Sequence, residues 1–234
     1  GLTVVSGYVG LRLRRAQRLA AAEQERRVTA ERQRIARDMH DDLGAELSRL
    51  ALRAHNPEPA ASLHDARDLL RSLNETVWVV NPSKDSLDSV VNYLETWTRD
   101  YFAGASLALA LDMPLEVPDL PVSADWRHHI LRTVKEACHN ILKHARATRV
   151  EFALKIAPSG RALELDLRDN GCGFEMEKEK APGESRNSSR SRLGGNGLGN
   201  LRRRAEQLGG SLAITTAPGQ GTRVRITVPL PPPR

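Results

Sequence analysis

Residues 31–50 read ERQRIARDMHDDLGAELSRL, and the placement of that stretch decides how the rest of the chain is read. Ile35, Met39, Leu43, Leu47 and Leu50 recur at steps of four, four, four and three, a helical stripe that must be buried against something. His40 follows Met39 at the edge of the stripe, with Ala36 and Gly44 one turn away on either side, so small neighbours leave the imidazole uncovered. Gly44 costs a helix interior about 1 kcal/mol relative to Ala, and a close approach by another domain would explain why that cost is tolerated. Asp41 and Asp42 come next, and a carboxylate near an imidazole can hold the tautomer that leaves the other nitrogen nucleophilic. Taken alone, a histidine on a helix edge is an ordinary polar surface residue.

Working outward, Leu11 to Ala54 contains no Pro and only Gly44 as glycine, which predicts one long helix. Pro57 and Pro59 end it. Ser62 to Val80 is a second helical pattern with Leu63, Leu70, Leu73, Val77 and Val80 apolar, so the two segments read as an antiparallel hairpin. Two helices bury too little to stand alone, and the expectation is a homodimer forming a four-helix bundle. At the other end, LTVVSGYVGLRLRR (residues 2–15) is moderately apolar and then strongly basic, as the cytoplasmic end of a membrane helix reads. Gly1 is not an initiator Met, so the expectation is a sensing region upstream, a full-length protein anchored in the bacterial inner membrane, and this part in the cytoplasm. An ordinary helix start with a solvated Arg face is the alternative.

Composition narrows the function classes. With 40% hydrophobic residues in 234, the chain can build a core. Its net charge is +6, yet aromatics make up only 4%, too few for the stacking platforms of single-strand nucleic-acid binders, and no direct nucleic-acid binding is expected. Cys138 and Cys172 form no CxxC pair and match no structural zinc spacing, so they read as reduced thiols. No stretch approaches the roughly 18 apolar residues of a membrane span.

Beyond Asn81-Pro82 the character changes. A helix is predicted over Leu87 to Phe102, a strand over Ser106 to Asp112, and a helix over Ala124 to Ala145. Alternation predicts strands over Arg149 to Ile156 and Ala162 to Arg168. The polar stretch Glu175 to Gly195 reads as a loop, Asn200 to Leu208 as a helix closed by Gly209 and Gly210, and Leu212 to Thr216 and Thr222 to Pro229 as the last strands. The expected class is α+β: a helical-hairpin dimerisation domain followed by a two-layer α/β sandwich. Its parts are a signalling helix (1–30), the hairpin (31–82), a connecting helix (83–103), the sandwich (104–230) and a frayed proline tail (231–234).

Four further motifs carry chemistry. VKEACHNILKHA (134–145) places Glu136, Asn140, Lys143 and His144 on one side of a helix, where a carboxamide can complete the shell of a Mg²⁺ held otherwise by phosphates and water. A solvated helix face is the plain alternative. In DNGCGF (169–174), Asp169 can accept from an adenine amino group while Gly171 and Gly173 let backbone approach the ring, although D-N-G is also simply a good turn. GGNGLGNLRRRA (194–205) closes the polar loop and opens a helix, so Gly195, Gly197 and Gly199 can bring backbone N–H groups to a triphosphate. PGQGT (218–222) puts the Thr222 hydroxyl at a strand turn on the base side, or forms an ordinary hairpin.

In their order along one chain, from about Glu31 to Leu230, these motifs resemble the sensor histidine kinases of the subgroup with an H-D-x-L-G dimerisation helix, here His40 to Gly44. The resemblance implies a Bergerat ATPase fold shared with gyrase and the heat-shock-90 chaperones, and ATP and Mg²⁺ as ligands. It implies His40 as phosphoacceptor with Asp41 polarising it, and Asn140 as the Mg²⁺-binding residue of an N box that includes Glu136, Lys143 and His144. Asp169, Gly171 and Gly173 match the adenine-binding box; Gly195, Leu198, Gly197 and Gly199 match the lid; Thr222 joins the ATP site. The implied partners are a second copy of the chain and a response regulator with LuxR-type helix-turn-helix output. Family members that dephosphorylate their regulator often have Gln five residues after the histidine; here that position is Ala45, which cannot orient a water. Competing readings are an ATPase or serine kinase of the same fold, and a non-enzymatic helical adaptor.

Overall fold

Fifty-three residues without a proline run as a single helix, α1 (Leu2–Ala54). The computed structural model describes residues 2–54, 59–175 and 197–231; within the first two helices the side chains of residues 2–11, 13, 41–43, 45, 46 and 48–68 lie outside the description. The second helix, α2 (Pro59–Val80), begins three residues before the expected Ser62. Proline suits that place, because its fixed φ and missing N–H cost nothing in a first turn. The chain divides into two units, Gly1–Pro82 and Ser83–Arg234.

In the first unit α1 and α2 pack on each other. Ile35 and Met39 are buried, as are Trp78, Val79 and the Glu75 side chain. The expected apolar stripes are only partly covered, because Leu47, Leu70, Leu73 and Val77 are exposed. Leu43, Leu50 and Leu63 fall among the side chains not described.

The second unit opens with a 3-10 turn at Pro82–Lys84 and α3 (Leu87–Phe102), capped by the Ser86 hydroxyl, which accepts the Ser89 N–H at 3.2 Å. There follow β1 (Ala108–Asp112), α4 (Ala124–Asn140), β2 (Arg149–Ile156), β3 (Ala162–Asp169), α5 (Gly197–Gln207), β4 (Ser211–Thr216) and β5 (Thr222–Pro229). The strand expected from Ser106 starts at Ala108, where its pairing with Arg149 of β2 begins. The five strands form one sheet in the order β1-β2-β3-β5-β4, parallel between β1 and β2 and antiparallel elsewhere.

Alternation decides which face of the sheet is covered. Val150, Phe152 and Leu154 of β2, Leu163, Leu165 and Leu167 of β3, and Val224, Ile226 and Val228 of β5 are all buried. The helices supply Leu94 and Trp97 from α3, Ile130, Leu131 and Val134 from α4, and Leu201 and Ala205 from α5 to the same core. Each of the buried Val, Leu, Ile and Phe side chains contributes about 1.5–3 kcal/mol through removal of apolar surface from water. The opposite face carries charges that pair with one another: Arg223 with Asp166, Lys155 with Asp112 at 3.0 Å, and Arg149 with Glu151 at 2.9 Å. Arg127 of α4 has a fully buried side chain and pairs with Asp85, which ties the entrance of the unit to its central helix.

Candidate functional site

The Ser123 hydroxyl caps α4 by accepting the Trp126 N–H at 3.1 Å, and burial of Ile130, Val134, Ala137 and Cys138 fixes the helix's rotation. Glu136 and Asn140, one turn apart, are left half-buried on its flank. The helix does not continue to Ala145 as expected. Ile141–Ala145 form a π-helical turn that ends at Arg146 in a left-handed conformation, φ 52°. Its wider winding shifts the register, so the predicted one-sided row of four breaks and Lys143 and His144 stand exposed beyond the pair.

The first turn of α5 lies against that pair. A Cβ placed on Gly197 would sit 2.9 Å from Oε1 of Glu136 and 3.4 Å from Oδ1 of Asn140. A side chain there would push the tip of Glu136 aside, and the contact with α4 offsets the poor helix propensity of the glycines, so that the helix starts at Gly197 where Asn200 was expected. Leu198 is half-buried, a Cβ on Gly199 would meet nothing within 4 Å, and Gly195 lies outside the described residues.

At the end of β3, Asp169 is 4% exposed, and its Oδ1 accepts the Gly171 N–H at 2.8 Å. Burial raises the carboxyl's pKa, while the backbone N–H groups of Gly171 and Thr222 act to lower it. Three backbone approaches close around this carboxylate. A Cβ on Gly171 would stand 2.2 Å from the Ala145 carbonyl oxygen, one on Gly173 2.0 Å from that of Ala217, and one on Gly221 2.1 Å from that of Asp169 itself. Gly173 and Gly221 also have positive φ, 56° and 73°.

Thr216 was not singled out from the sequence, yet it joins these pieces. Its hydroxyl donates to the Gly221 carbonyl at 3.0 Å, accepts the Phe174 N–H at 3.2 Å, and lies 3.2 Å from the Thr222 hydroxyl. Asn170 does the same on the other side: its Oδ1 accepts the Thr148 and Arg149 N–H groups at 2.9 and 2.8 Å, clamping β3 to β2. Neither had a signal beyond a strand-end Thr and a turn Asn. Cys172 is exposed, with Sγ 3.3 Å from the His144 carbonyl oxygen, while burial pushes the Cys138 thiol far above its ordinary pKa and leaves it unreactive.

In the first unit His40 is exposed beside the buried Met39. A Cβ on Gly44, one turn on, would meet nothing within 4 Å among the described residues. The side chains of Asp41 and Ala45 lie outside the description.

Residues 127–232 match the family described as histidine kinase-, DNA gyrase B-, and HSP90-like ATPase. Sensor histidine kinase LiaS of Bacillus subtilis is 26% identical over 219 residues, 88% of this chain and 56% of that protein. Nitrate/nitrite sensor protein NarQ of Escherichia coli is 32% identical over 213 residues, 84% of this chain and 34% of that protein. The chain thus spans between a third and just over half of these relatives. Among solved structures, the Erythrobacter litoralis EL346 blue-light activated histidine kinase superposes with a TM-score of 0.50 at 18% identity, over 84% of this chain and 59% of that one, a likeness of fold alone.

Proposed function

Because the chain belongs to the sensor histidine kinases, with an ATPase domain of the kind shared with gyrase B and HSP90, we propose that it uses ATP to phosphorylate its own His40 and then passes the phosphoryl group to an Asp of a response regulator. One observation carries the proposal. A single chain joins an exposed His40, on a helix whose Ile35 and Met39 are buried, to a unit in which Gly197 lies beside Glu136 and Asn140 while the buried Asp169 accepts the Gly171 N–H, a set of residues with the chemistry of a nucleotide site.

In this reading Asp169 accepts the adenine amino group, with Gly171, Gly173 and Thr222 forming the wall around the base. Backbone N–H groups at Gly197, Leu198 and Gly199 face the phosphates at the start of α5, with Gly195 before them. Magnesium suits the oxygen donors present. Oδ1 of Asn140 and Oε1 of Glu136 lie together beside Gly197, and the described residues contain no group of three or more His, Cys, Asp or Glu that would form an all-protein cage. That donor set fits an ion that keeps its waters and is held mainly by phosphate, and the ion would supply neutralisation of charge on the β- and γ-oxygens. Lys143 and His144 border the site from the π turn.

His40 forms a P–N bond to the γ-phosphorus as the bridging P–O bond to the β-phosphate breaks, and ADP leaves. Asp41 polarises the ring. The exposed Leu47, Leu70, Leu73 and Val77 support a second copy as the partner that completes a four-helix bundle, with residues 31–82 as the dimerisation hairpin. Residues 1–30 carry the input and 83–103 connect to the catalytic part, 104–230. The H-D-x-L-G pattern supports a regulator with LuxR-type output, and Ala45 argues against a Gln-assisted phosphatase step. Apolar residues followed by Arg12, Arg14 and Arg15 support membrane anchoring of the full-length protein, while none of the described helices is long and apolar enough to cross a membrane.

The test is His40→Gln incubated with γ-labelled ATP. Label should fall to background with ATP binding unchanged; label retained at the wild-type level would refute the assignment.

A further inference from the structure

Asp169, Thr222 and Thr216 form one row across three strands on the covered face of the sheet. Thr222 lies directly opposite Asp169 across β3 and β5, and directly opposite Thr216 across β5 and β4. Alternation puts Leu167, Val224 and Ile214 next along the same face. Side chains directly opposite each other in an antiparallel pair have Cβ atoms about 4.5–5.5 Å apart. A small ligand group that reaches the Asp169 carboxylate is therefore also within reach of the Thr222 side chain.

Counting protons shows which way the Thr222 hydroxyl points. Thr216 has one O–H proton and an oxygen with two lone pairs. The Gly221 carbonyl, 3.0 Å away, can only accept, so it takes the proton. The Phe174 N–H, 3.2 Å away, can only donate, so it takes one lone pair. What Thr216 has left for the Thr222 hydroxyl, at 3.2 Å, is the second lone pair, and Thr222 is the donor of that bond. With its proton committed to Thr216, the Thr222 oxygen presents only lone pairs to whatever arrives. Asp169 is an acceptor too: its carboxylate receives the Gly171 N–H at 2.8 Å and the Thr222 N–H, and two oxygens with about four lone-pair sites leave room for another donor.

We propose that Thr216 is a positioning residue for base selection: by taking the Thr222 proton it turns Thr222 into a second acceptor beside Asp169. Two adjacent acceptors suit a purine with a 6-amino group and oppose one with a 6-oxo group. The inference rests on the nucleotide site proposed above, and Thr216 acts through Thr222 without touching the base.

The test compares the Kd of the full 234-residue chain for ATP and for inosine triphosphate, each with magnesium; inosine carries a 6-oxo group where adenosine carries 6-amino. Wild type should favour ATP by at least about thirtyfold. Thr216→Val frees the Thr222 hydroxyl to turn and donate to the 6-oxo group, so the preference should fall about tenfold, the scale of one hydrogen bond. Thr216→Ser keeps the hydroxyl and should leave the preference within about twofold of wild type. On a Thr222→Val background, Thr216→Val should change the preference less than about twofold, because no hydroxyl remains to be oriented. Thr216→Cys, whose thiol is a weak donor and a weak acceptor, should lower the preference about threefold and serves if valine prevents folding.

Each other outcome overturns the idea. A preference unchanged in Thr216→Val or Thr216→Cys, whether ATP and inosine triphosphate bind as before or weaken equally, leaves Thr216 a structural role only. A fall that persists undiminished with Thr222→Val acts by a route other than that hydroxyl, and a fall as large in Thr216→Ser belongs to the lost methyl. If wild type binds the two nucleotides equally well, the assignment of the base to Asp169 fails; if it binds neither, the nucleotide site itself fails, and this inference falls with it for that separate reason.

Discussion

Two apolar patterns of similar strength meet different fates in this chain. In β3, Leu163, Leu165 and Leu167 are 0%, 2% and 4% exposed, sealed by three helices of the same unit. In α2, Leu70, Leu73 and Val77 are 60%, 44% and 63% exposed. Periodicity identifies which face of an element avoids water but not what covers it, and the difference separates a unit that closes its own core from one that leaves apolar side chains exposed, as the proposed four-helix bundle would use them.

The largest expected effect breaks that contrast from the α2 side. Leu73→Glu combined with Val77→Glu should convert dimer to monomer in sedimentation equilibrium while ATP affinity stays unchanged; a variant that remains dimeric would remove the bundle interface from this face. Leu165→Ala is the converse, costing the second unit about 2–5 kcal/mol in denaturant unfolding while the dimer persists.

A smaller effect sharpens the account of the site. The raised pKa of Asp169 means that the folded state prefers its protonated form, so the ionised carboxylate costs stability at pH 7, and that cost is relieved as pH falls through the folded pKa. Asp169→Asn keeps an acceptor for the Gly171 N–H and removes the buried charge. Its Tm should equal or exceed that of wild type while ATP affinity falls about thirtyfold or more, because an amide must replace the charged acceptor. A Tm several degrees lower with ATP affinity intact would assign the residue to folding alone.

The smallest effect concerns Gly44. Gly44→Ala should stabilise α1 by about 1 kcal/mol and raise its melting temperature, yet slow autophosphorylation severalfold, since the added methyl stands beside the surface through which His40 is reached. Stabilisation with no loss of rate would make the glycine incidental.

Much of the second unit was legible because its physics is local. Arg149 to Ile156 and Thr222 to Pro229 alternate because one face of the sheet is covered and the other faces water, and both strands lie where alternation put them. Helix α3 also lies where it was expected after the break at Asn81-Pro82, from Leu87 to Phe102. What could not be read depends on distant partners. The π turn at Ile141–Ala145 leaves no mark in composition, although the Ala145 carbonyl at its end accepts the Cys172 N–H at 2.7 Å and meets Gly171. Gly197 lies in the first turn of α5 against Glu136 and Asn140, a contact that the glycine run by itself does not announce. Thr216 reads as any strand-end threonine until the turn at Gly221 folds back onto it.

The central claim is that the phosphate acceptor is the ring on α1, and mapping the phosphate tests it most directly. After incubation with ATP and magnesium, the chain should be digested and its peptides analysed at neutral pH and again after brief acid treatment. The account predicts one phosphorylated peptide, containing His40, whose phosphate disappears in acid. A phosphate that survives acid on a serine or threonine, with the His40 peptide unmodified, would contradict it.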